Sequence, residues 1–196
     1  MPKFSKEEKE KKYLKLIEEG EILFNKRGFY DVTAEDIALS AGIAKGTFYH
    51  FFDNKEHLYM VINNKLQKKI FENMEIMINT PSTSSQSEKL YQLICYVLDA
   101  FIEHPLIMEF DFNAWERIRE KAPKECIEEN EENDIKVFQM LEKSGVSFRY
   151  DLETTMQIIQ KQFVQYAAIK QEKDSLKHMK IVLKALSEHL VFNPEK

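Results

Sequence analysis

Apolar side chains recur at steps of three and four along most of the chain, which is the spacing of amphipathic helices. In the first long segment, residues 6–26, one face carries apolar side chains from Tyr13 to Phe24. Gly28 follows this segment and can take the left-handed conformation of a helix end. Gly20 lies in the middle of the apolar face, and we interpret it as a point where another backbone passes close by.

The same periodicity predicts further helices, separated by capping residues, proline and glycine. Thr33 is placed to cap the second helix, Asp53 or Asn54 the fourth, and Pro105 breaks the chain after His104. Residues 81–87, which hold five Ser or Thr, form the clearest loop. The sequence therefore predicts an all-α fold of about nine helices. After the first helix at residues 6–26, the predicted helices cover residues 34–41, 44–52, 55–78, 90–101, 106–115, 125–143, 151 or 153 to 171, and 174 or 175 to 190.

The composition supports this fold and excludes two classes of protein. The 196 residues include only five glycines and five prolines, fewer than a sheet-rich chain needs for its turns. Cys95 and Cys126 cannot form a disulfide framework, so a reduced interior is expected. No apolar run approaches the roughly 20 residues of a membrane span. We therefore expect a cytoplasmic protein without a membrane partner, and not a secreted scaffold.

Two short helices joined at Gly42 form the most informative part of the sequence. A helix of eight residues, a glycine turn and a second short helix make the layout of a helix-turn-helix. A shared core is predicted from Leu23, Phe24, Ile37, Ala38, Ala41, Phe48 and Phe52. The second helix then turns outward five residues that suit phosphate and major-groove contacts, Lys45, Gly46, Thr47, Tyr49 and His50. The alternative is an ordinary helical hairpin with a polar face.

Four segments resemble successive helices of the TetR-type transcriptional repressors. They are LIEEGEILFNKRGF at residues 16–29, TAEDIA at 33–38, AGIAKGTFYHFF at 41–52 and NKEHL at 54–58. The match is dense and ungapped over roughly residues 10–60. Three residues depart from the pattern, because Gly20, Leu39 and Ala44 stand where the family usually has alanine, a polar residue and serine.

The resemblance implies a homodimer whose chain has two domains. Residues 1–54 would form the helix-turn-helix DNA-binding domain, and residues 55–196 a helical ligand-binding and dimerisation domain. Tyr49, His50 and Lys55 would contact mainly phosphate, whereas Lys45 and Thr47 could reach bases. The complete set of positions that would contact a double-stranded DNA operator is Thr33, Lys45, Gly46, Thr47, Tyr49, His50 and Lys55.

The net charge of -5 at first argues against binding to DNA. Residues 1–55, however, hold ten Lys or Arg and ten Asp or Glu, so the excess of acid lies in the remainder. Binding needs only a local cationic face. Six lysines between Lys3 and Lys15 could add to that face, or could simply form the solvated start of a helix.

The aromatic and apolar residues of the second domain suggest a ligand pocket and a subunit interface. We expect an apolar or amphipathic effector among Met74, Tyr96, Phe101, Trp115, Phe138 and Phe163. We expect a homodimer through a four-helix bundle that includes Ile159, Phe163, Tyr166, Met179, Val182, Leu183 and Leu186. Effector binding would tilt the helix of residues 55–78 and release the protein from a near-palindromic operator. The competing view is a filled core without a cavity.

No catalytic, metal or cofactor motif accompanies these features. The five histidines show no HExxH pair, and the five glycines form no nucleotide-binding or hydrolase motif. The acidic run 125–134 is interpreted as a solvated helix face, with a cation site as the lesser alternative. The leading hypothesis is a ligand-responsive repressor that is not an enzyme. The alternatives are a helical enzyme or carrier that does not bind DNA, and an adaptor that binds only protein.

Overall fold

The computed structural model describes residues 5–108, 112–143 and 145–192, and this part of the chain confirms the predicted all-α fold. A 3₁₀ helix, Pro105–Met108, follows the predicted break at Pro105. Phe148 and Val191 form an isolated bridge. The α-helices of the described residues are α1 Lys6–Arg27, α2 Ala34–Ser40, α3 Lys45–Phe51, α4 Lys55–Asn79, α5 Gln86–Glu103, α6 Phe112–Lys121, α7 Lys124–Lys143, α8 Leu152–Ile169 and α9 Ser175–Leu190.

Side-chain caps set the starts of several helices where the sequence predicts them. The Thr33 hydroxyl accepts the N–H of Asp36 at 3.1 Å, and the Asp36 carboxylate accepts the N–H of Thr33 at 2.9 Å. Asn54 caps α4 by accepting the N–H of His57 at 2.7 Å, and Asp151 caps α8. Gly28 ends α1 with a positive φ of 79°, which favours glycine.

The chain divides into two compact units, each built from two separate stretches. The described residues of Met1–Gln67 pack with those of His104–Glu131, and the described residues of Lys68–Glu103 pack with those of Glu132–Lys196. The first unit is therefore larger than the predicted DNA-binding domain of residues 1–54. The first unit extends further because the core of that domain is completed by apolar side chains from residues 55–67 and 104–131.

The core of the first unit confirms the shared core predicted for the helix-turn-helix. Phe24, Ile37, Ala38, Ala41, Phe48 and Phe52 are buried there, with Leu23 partly buried against them. Side chains of later segments join the same core, namely Leu58, Tyr59 and Ile62 of α4, Leu106 of the 3₁₀ helix, Ala114 and Ile118 of α6, and Ile127 of α7.

Gly20 is explained by side chains and not by a crossing backbone, so that interpretation of the sequence was wrong. A Cβ atom at Gly20 would lie 2.9 Å from Cδ2 of Leu58 and 3.0 Å from Cδ1 of Ile62. The glycine thus makes room for two apolar side chains of α4, and α1 packs closely on α4 at this point.

The second unit is held by the packing of α9 against α5 and α8. Leu90, Leu98, Phe163 and Leu183 are buried in this unit. Lys180 of α9 pairs with Asp99 of α5 at 3.0 Å. No described helix of either unit combines the length and the apolar character needed to cross a bilayer.

Candidate nucleic-acid interface

A short helix, α3, carries the residues that the sequence assigns to DNA contact, and buried aromatic rings fix its orientation. The Phe48 side chain of α3 is fully buried and packs on Phe52 with ring centroids 5.6 Å apart. The turn before α3 places Gly42 at a φ of 65°, and the N–H of Ile43 donates to the carbonyl of Ala38 at 2.8 Å. With Phe48 facing inward, the opposite face of α3 must point to solvent.

The structure brings most of the predicted contact residues to that outer face. Lys45, Gly46, Tyr49 and His50 are exposed on α3, and Thr47 is partly exposed. Around Gly46 there is open space, since nothing lies within 4 Å of a Cβ atom built there. This face offers an ammonium, a phenol and an imidazole beside a stretch of bare backbone, which suits contact with phosphate and base edges.

Thr33 is exposed, but its hydroxyl is engaged in capping α2. It donates to the Asp36 carboxylate at 2.7 Å while accepting the N–H of the same residue. The Thr33 hydrogen bonds are the main cause that lowers the pKa of Asp36. Thr33 therefore fixes the start of α2 at the edge of the surface.

Lys45 is paired with an acidic residue of the preceding helix. Its Nζ lies 2.7 Å from Oε2 of Glu35, and the hydrogen bond between them raises the pKa of Lys45. Both side chains are mostly exposed, at 55% for Lys45 and 68% for Glu35. The sequence analysis identified Lys45 but did not identify Glu35, which lies ten residues earlier on α2.

Lys55 is turned inward, away from the role of a simple phosphate contact. Its ammonium donates to the carbonyl oxygens of Phe29 at 2.7 Å, Val32 at 2.8 Å and Tyr30 at 3.4 Å. It also lies 4.3 Å from the centre of the Phe29 ring. Burial lowers the pKa of Lys55. In this arrangement Lys55 ties the start of α4 to the segment after α1, and a phosphate would have to displace a carbonyl.

Two of the three residues that depart from the TetR-type pattern, Ala44 and Leu39, also border this surface. Ala44 precedes α3 and provides no side-chain cap for it. Leu39 projects from α2 with 78% of its surface exposed. The lysine-rich start of the chain is helical from Lys6 onward, and Lys11 pairs with Glu7 at 2.8 Å. Lys3 lies outside the described residues.

The start of α4 is fixed by α6 and α7 of the same unit. The Glu56 carboxylate, nearly fully buried, accepts from Nε of Arg117 at 2.8 Å. The Asn54 side chain donates to the carbonyl of Lys121 at 2.9 Å, and Asn64 donates to that of Cys126 at 2.8 Å. Sequence reasoning missed these contacts, because polar residues on a long helix give no signal of distant partners.

Four buried amides form a second polar contact between α4 and α7. Nδ2 of Asn130 lies 3.0 Å from the side-chain oxygens of Asn63 and Asn64 and 3.2 Å from that of Gln67. All four side chains are buried within the first unit. Such a network fixes one register between the two helices, because a shift would leave buried polar atoms without partners.

The residues predicted to line a ligand pocket do not all belong to one unit. Trp115 packs against the core of the first unit, whereas the other five lie in the second. There, Met74 and Phe163 are buried, and Tyr96 accepts from Asn73 at 2.8 Å. Phe101 and Phe163 meet edge to face with centroids 5.1 Å apart. Phe138 is half-buried on α7.

An open groove of about 600 Å³ lies between α5 and α9 in the second unit. It contains none of the residues predicted for the pocket. Its walls carry three lysines together with apolar and acidic side chains, which are Tyr91, Asp174, Leu176, Lys177, Lys180, Ile181 and Lys184.

The residues predicted for the subunit interface lie mostly inside the chain. Five of the seven are buried in the core of the second unit, and Leu186 is half-buried. Of the seven predicted residues, Val182 is the one that is exposed. Two apolar residues outside the predicted set, Val164 on α8 and Ile181 on α9, are exposed as well. The five buried residues are Ile159, Phe163, Tyr166, Met179 and Leu183. The helices α8 and α9 thus bury their most apolar faces within their own unit.

The described residues bring together no group of three His, Cys, Asp or Glu side chains that could hold a metal ion. Along α7, two of the acidic residues pair with neighbouring lysines. Glu128 lies 2.9 Å from Lys124, and Glu132 lies 3.5 Å from Lys136.

The chain is similar to known regulatory proteins in sequence. The family model described as bacterial regulatory proteins of the tetR family matches residues 16–61. YfiR, a helix-turn-helix-type transcriptional regulator of Bacillus subtilis, is 24% identical over 149 residues, which cover 74% of this chain and 70% of that protein. IcaR of Staphylococcus aureus, a negative transcriptional regulator of the biofilm operon icaADBC, is 32% identical over 82 residues, covering 41% of this chain and 42% of IcaR.

The fold is also that of a solved regulator. The structure of FadR from Bacillus subtilis in complex with stearoyl-CoA aligns with a TM-score of 0.63 and 18% identity, over 91% of this chain and 99% of that one. All three of these proteins are described as transcriptional regulators. The matched residues 16–61 contain α2, α3 and the turn between them, which are the elements that build the exposed face described above. The first unit thus carries the signature of the bacterial regulatory proteins of the tetR family at residues 16–61, and the chain shares its fold with the solved regulator.

Proposed function

We propose that the protein is a transcriptional repressor that binds a near-palindromic operator as a homodimer and leaves it when a small apolar or amphipathic molecule binds. The observation that carries the proposal is the outer face of α3, where Lys45, Tyr49 and His50 are exposed beside open space at Gly46. Its position on a helix anchored by buried Phe48 gives that face the rigidity needed for entry into a major groove.

The DNA-binding part of the proposal is tested with double-stranded DNA from upstream of the protein's own coding sequence. Fluorescence anisotropy should show salt-dependent binding that Tyr49→Ala weakens across all sequences. The matched control is Tyr150→Ala, which removes an exposed tyrosine of the second unit. Equal affinities of wild type and Tyr49→Ala would contradict the assignment of α3 as the helix that contacts DNA.

The apolar nature of the effector is supported by the predicted pocket residues and by the relatives. FadR was solved with stearoyl-CoA, and the solved regulator KstR2 of Mycobacterium tuberculosis is named for ketosteroids. In this chain Met74, Phe101 and Phe163 supply an apolar region of the second unit. The helix α4 begins in the first unit and ends in the second, so it is the covalent path along which such a ligand would act.

Displacement from DNA is the direct test of the effector class. Titration of long-chain acyl compounds and of sterols into a protein–operator complex should lower DNA affinity for one of these classes. Coupling of about 1–3 kcal/mol is typical of such switches and corresponds to a 5- to 150-fold loss of affinity. Phe163→Ala should alter the ligand response while leaving ligand-free DNA affinity unchanged. A protein whose DNA affinity responds to no ligand would be a constitutive DNA binder.

A homodimer is supported by the apolar side chains that α8 and α9 leave exposed. Val164, Ile181 and Val182 project from these helices although the predicted interface residues around them are buried. A two-fold dimer would set two α3 helices about one DNA turn, roughly 34–36 Å, apart. The DNA partner also implies that the protein works in the cytoplasm. Light scattering at micromolar concentration would contradict the dimer if it showed a monomer.

A further inference from the structure

We infer that Glu35 and Lys45 act as one base-reading unit, which recognises a C·G pair in the major groove with cytosine on the Glu35 side. This inference rests on the proposed DNA-binding function and names the specificity of that site. The observation behind it is that the two side chains lie 2.7 Å apart and that both are mostly exposed on the outer face of the helix-turn-helix.

A purely structural role does not account for the pair. An exposed ion pair adds little to stability, because water screens both charges. A phosphate-binding role does not account for it either, since affinity for the DNA backbone depends on cations that release counterions. The carboxylate of Glu35 cancels the charge of Lys45 and would itself be repelled by phosphate. What remains distinctive about the pair is its pattern of a hydrogen-bond acceptor directly beside a donor.

That pattern is complementary to the edge of a C·G pair. In the major groove, cytosine presents its N4 amino group as a donor and guanine presents O6 and N7 as acceptors. N4 and O6 are themselves joined by a hydrogen bond, so they are about 2.9 Å apart. Oε2 of Glu35 and Nζ of Lys45 have nearly the same spacing. The carboxylate can accept from N4 while the ammonium donates to O6 and N7.

The other base pairs fit this pair of side chains less well. In G·C and T·A the donor and acceptor positions are exchanged, which sets the carboxylate against an acceptor and the ammonium against a donor. In A·T the central donor and acceptor are in the right order. The adenine N7 acceptor, however, then faces Glu35, and the thymine methyl group takes the place of the guanine N7 that Lys45 would bind. The pair therefore favours C·G over all three alternatives.

Replacement of Glu35 by glutamine gives a sharp prediction. An amide both accepts and donates, so it can bind N6 and N7 of adenine together, which is the usual contact of glutamine with that base. Glu35→Gln should therefore shift the preference at one operator position from C·G towards A·T, by about ten-fold or more in the ratio of the two affinities. In a double-mutant cycle, Glu35→Ala and Lys45→Ala should be non-additive at that position and additive elsewhere.

The experiment enriches a randomised double-stranded DNA library on wild type, Glu35→Gln and the charge-matched control Glu142→Gln, which removes an exposed carboxylate from the end of α7. Anisotropy with every single-base variant of the enriched site then gives relative affinities. A preference that changes at one position in Glu35→Gln, and is unchanged in Glu142→Gln, supports the inference. Equal tightening of Glu35→Gln on all sequences would overturn it, because Glu35 would then only repel phosphate, while the proposed function would stand. Failure of wild type to enrich any DNA would overturn both.

Discussion

The side-chain oxygen of Asn25 accepts the main-chain N–H of Leu106 at 2.9 Å, which joins α1 to a residue 81 positions further along the chain. The hydroxyl of Tyr59 on α4 donates to the carbonyl of the same Leu106 at 2.5 Å. The main-chain N–H and the main-chain carbonyl of Leu106 are thus both hydrogen-bonded to side chains of the first unit, while the Leu106 side chain is buried in that unit's core. The 3₁₀ helix is in this way part of the structure that supports α3.

Leu106 should therefore be among the residues most important for the stability of the first unit. Leu106→Ala should lower the free energy of unfolding by about 2–5 kcal/mol, the usual cost of emptying a buried leucine site. Asn25→Ala should cost about 1–3 kcal/mol, since it leaves a partly buried N–H without its acceptor. Urea denaturation followed by circular dichroism measures both values.

The control for these variants is Leu39→Ala, which truncates a leucine with 78% of its surface exposed. Its effect should stay within about 0.5 kcal/mol, as for most surface substitutions. Similar losses for Leu106→Ala and Leu39→Ala would show that the 3₁₀ helix contributes no more to the fold than an exposed turn.

Acid should weaken the N-terminal cap of α2, which Thr33 and Asp36 form together. Hydrogen bonds from Thr33 lower the pKa of Asp36 in the folded state, so this contribution is complete above the ordinary aspartate pKa. It is lost as the pH falls from that value through the lower pKa of the folded state. Thr33→Val should flatten this part of the profile of denaturation midpoint against pH, and Thr33→Ser should restore it. A profile that Thr33→Val leaves unchanged would contradict the prediction.

Substitution of Lys55 tests whether its ammonium stabilises the fold or contacts DNA phosphate. Lys55→Met keeps the aliphatic stem but removes the donor for three carbonyl oxygens, so it should destabilise the protein by about 1–3 kcal/mol. Lys45→Met, on an exposed side chain, should leave stability unchanged. Thermal denaturation of the two variants gives this comparison.

DNA binding of Lys55→Met should separate the two roles further. Loss of a phosphate contact reduces the slope of log affinity against log salt by about one. The inward position of the Lys55 ammonium predicts no change of slope, measured by anisotropy at a temperature where the variant is folded. A reduced slope would mean that Lys55 leaves its carbonyl partners when DNA binds.

Gly46→Ala should separate stability from DNA affinity. Nothing lies within 4 Å of the added Cβ atom, so the free protein should gain about 0.5–1 kcal/mol from the better helix propensity of alanine. Affinity for operator DNA should fall, because the methyl group enters the space into which the DNA backbone would come. An alanine variant that binds DNA as tightly as wild type would place the DNA elsewhere.

Gly42→Ala is the matched variant for the opposite effect on stability. The space around Gly42 is open as well, but its φ of 65° is unfavourable for alanine. This variant should lose about 1–2 kcal/mol. Denaturation curves of the two glycine variants should therefore move in opposite directions from wild type.

Ile181→Glu should convert the proposed dimer into a monomer. The side chain is 60% exposed on α9, beside exposed Val182, so a charge there would be buried only if a second subunit covers it. Ile76→Glu is the control, since Ile76 is 65% exposed on α4. Analytical ultracentrifugation should show dissociation for Ile181→Glu alone. Dissociation of both variants, or of neither, would contradict the proposed interface.

Local patterns predict the helices and the outer face of α3 well, because both depend on neighbours in sequence. The cap at Thr33 and the burial of Phe48 follow from spacing alone, and Asp151 is one of the two starts that the sequence allows for α8. The partners of Lys45 and Lys55 could not be predicted in this way. Each depends on which side chain or carbonyl the tertiary fold brings near, as Glu35 and Phe29 show.

The same limit explains why the sequence could not say which apolar residues of the predicted interface and pocket are buried within a single unit. Continuous apolar faces on α8 and α9 indicate burial, but they do not say whether the partner lies in the same chain. Phe163 and Leu183 pack within their own unit, while the neighbouring Ile181 and Val182 are exposed. Trp115 could not be assigned to the first unit from sequence, because that assignment depends on the return of residues 104–131 to it.

The closure of the first core by residues far along the chain also determines when the helix-turn-helix can pack completely during synthesis. Ala114, Ile118 and Ile127 complete that core together with Leu106. A nascent chain that has released only its first 54 residues from the ribosome leaves this core open to water. The core that supports α3 is therefore complete only after residue 127 has emerged, once α5 has already been made. For the same reason, a first unit transplanted between related proteins should include residues 104–131 together with the first 67.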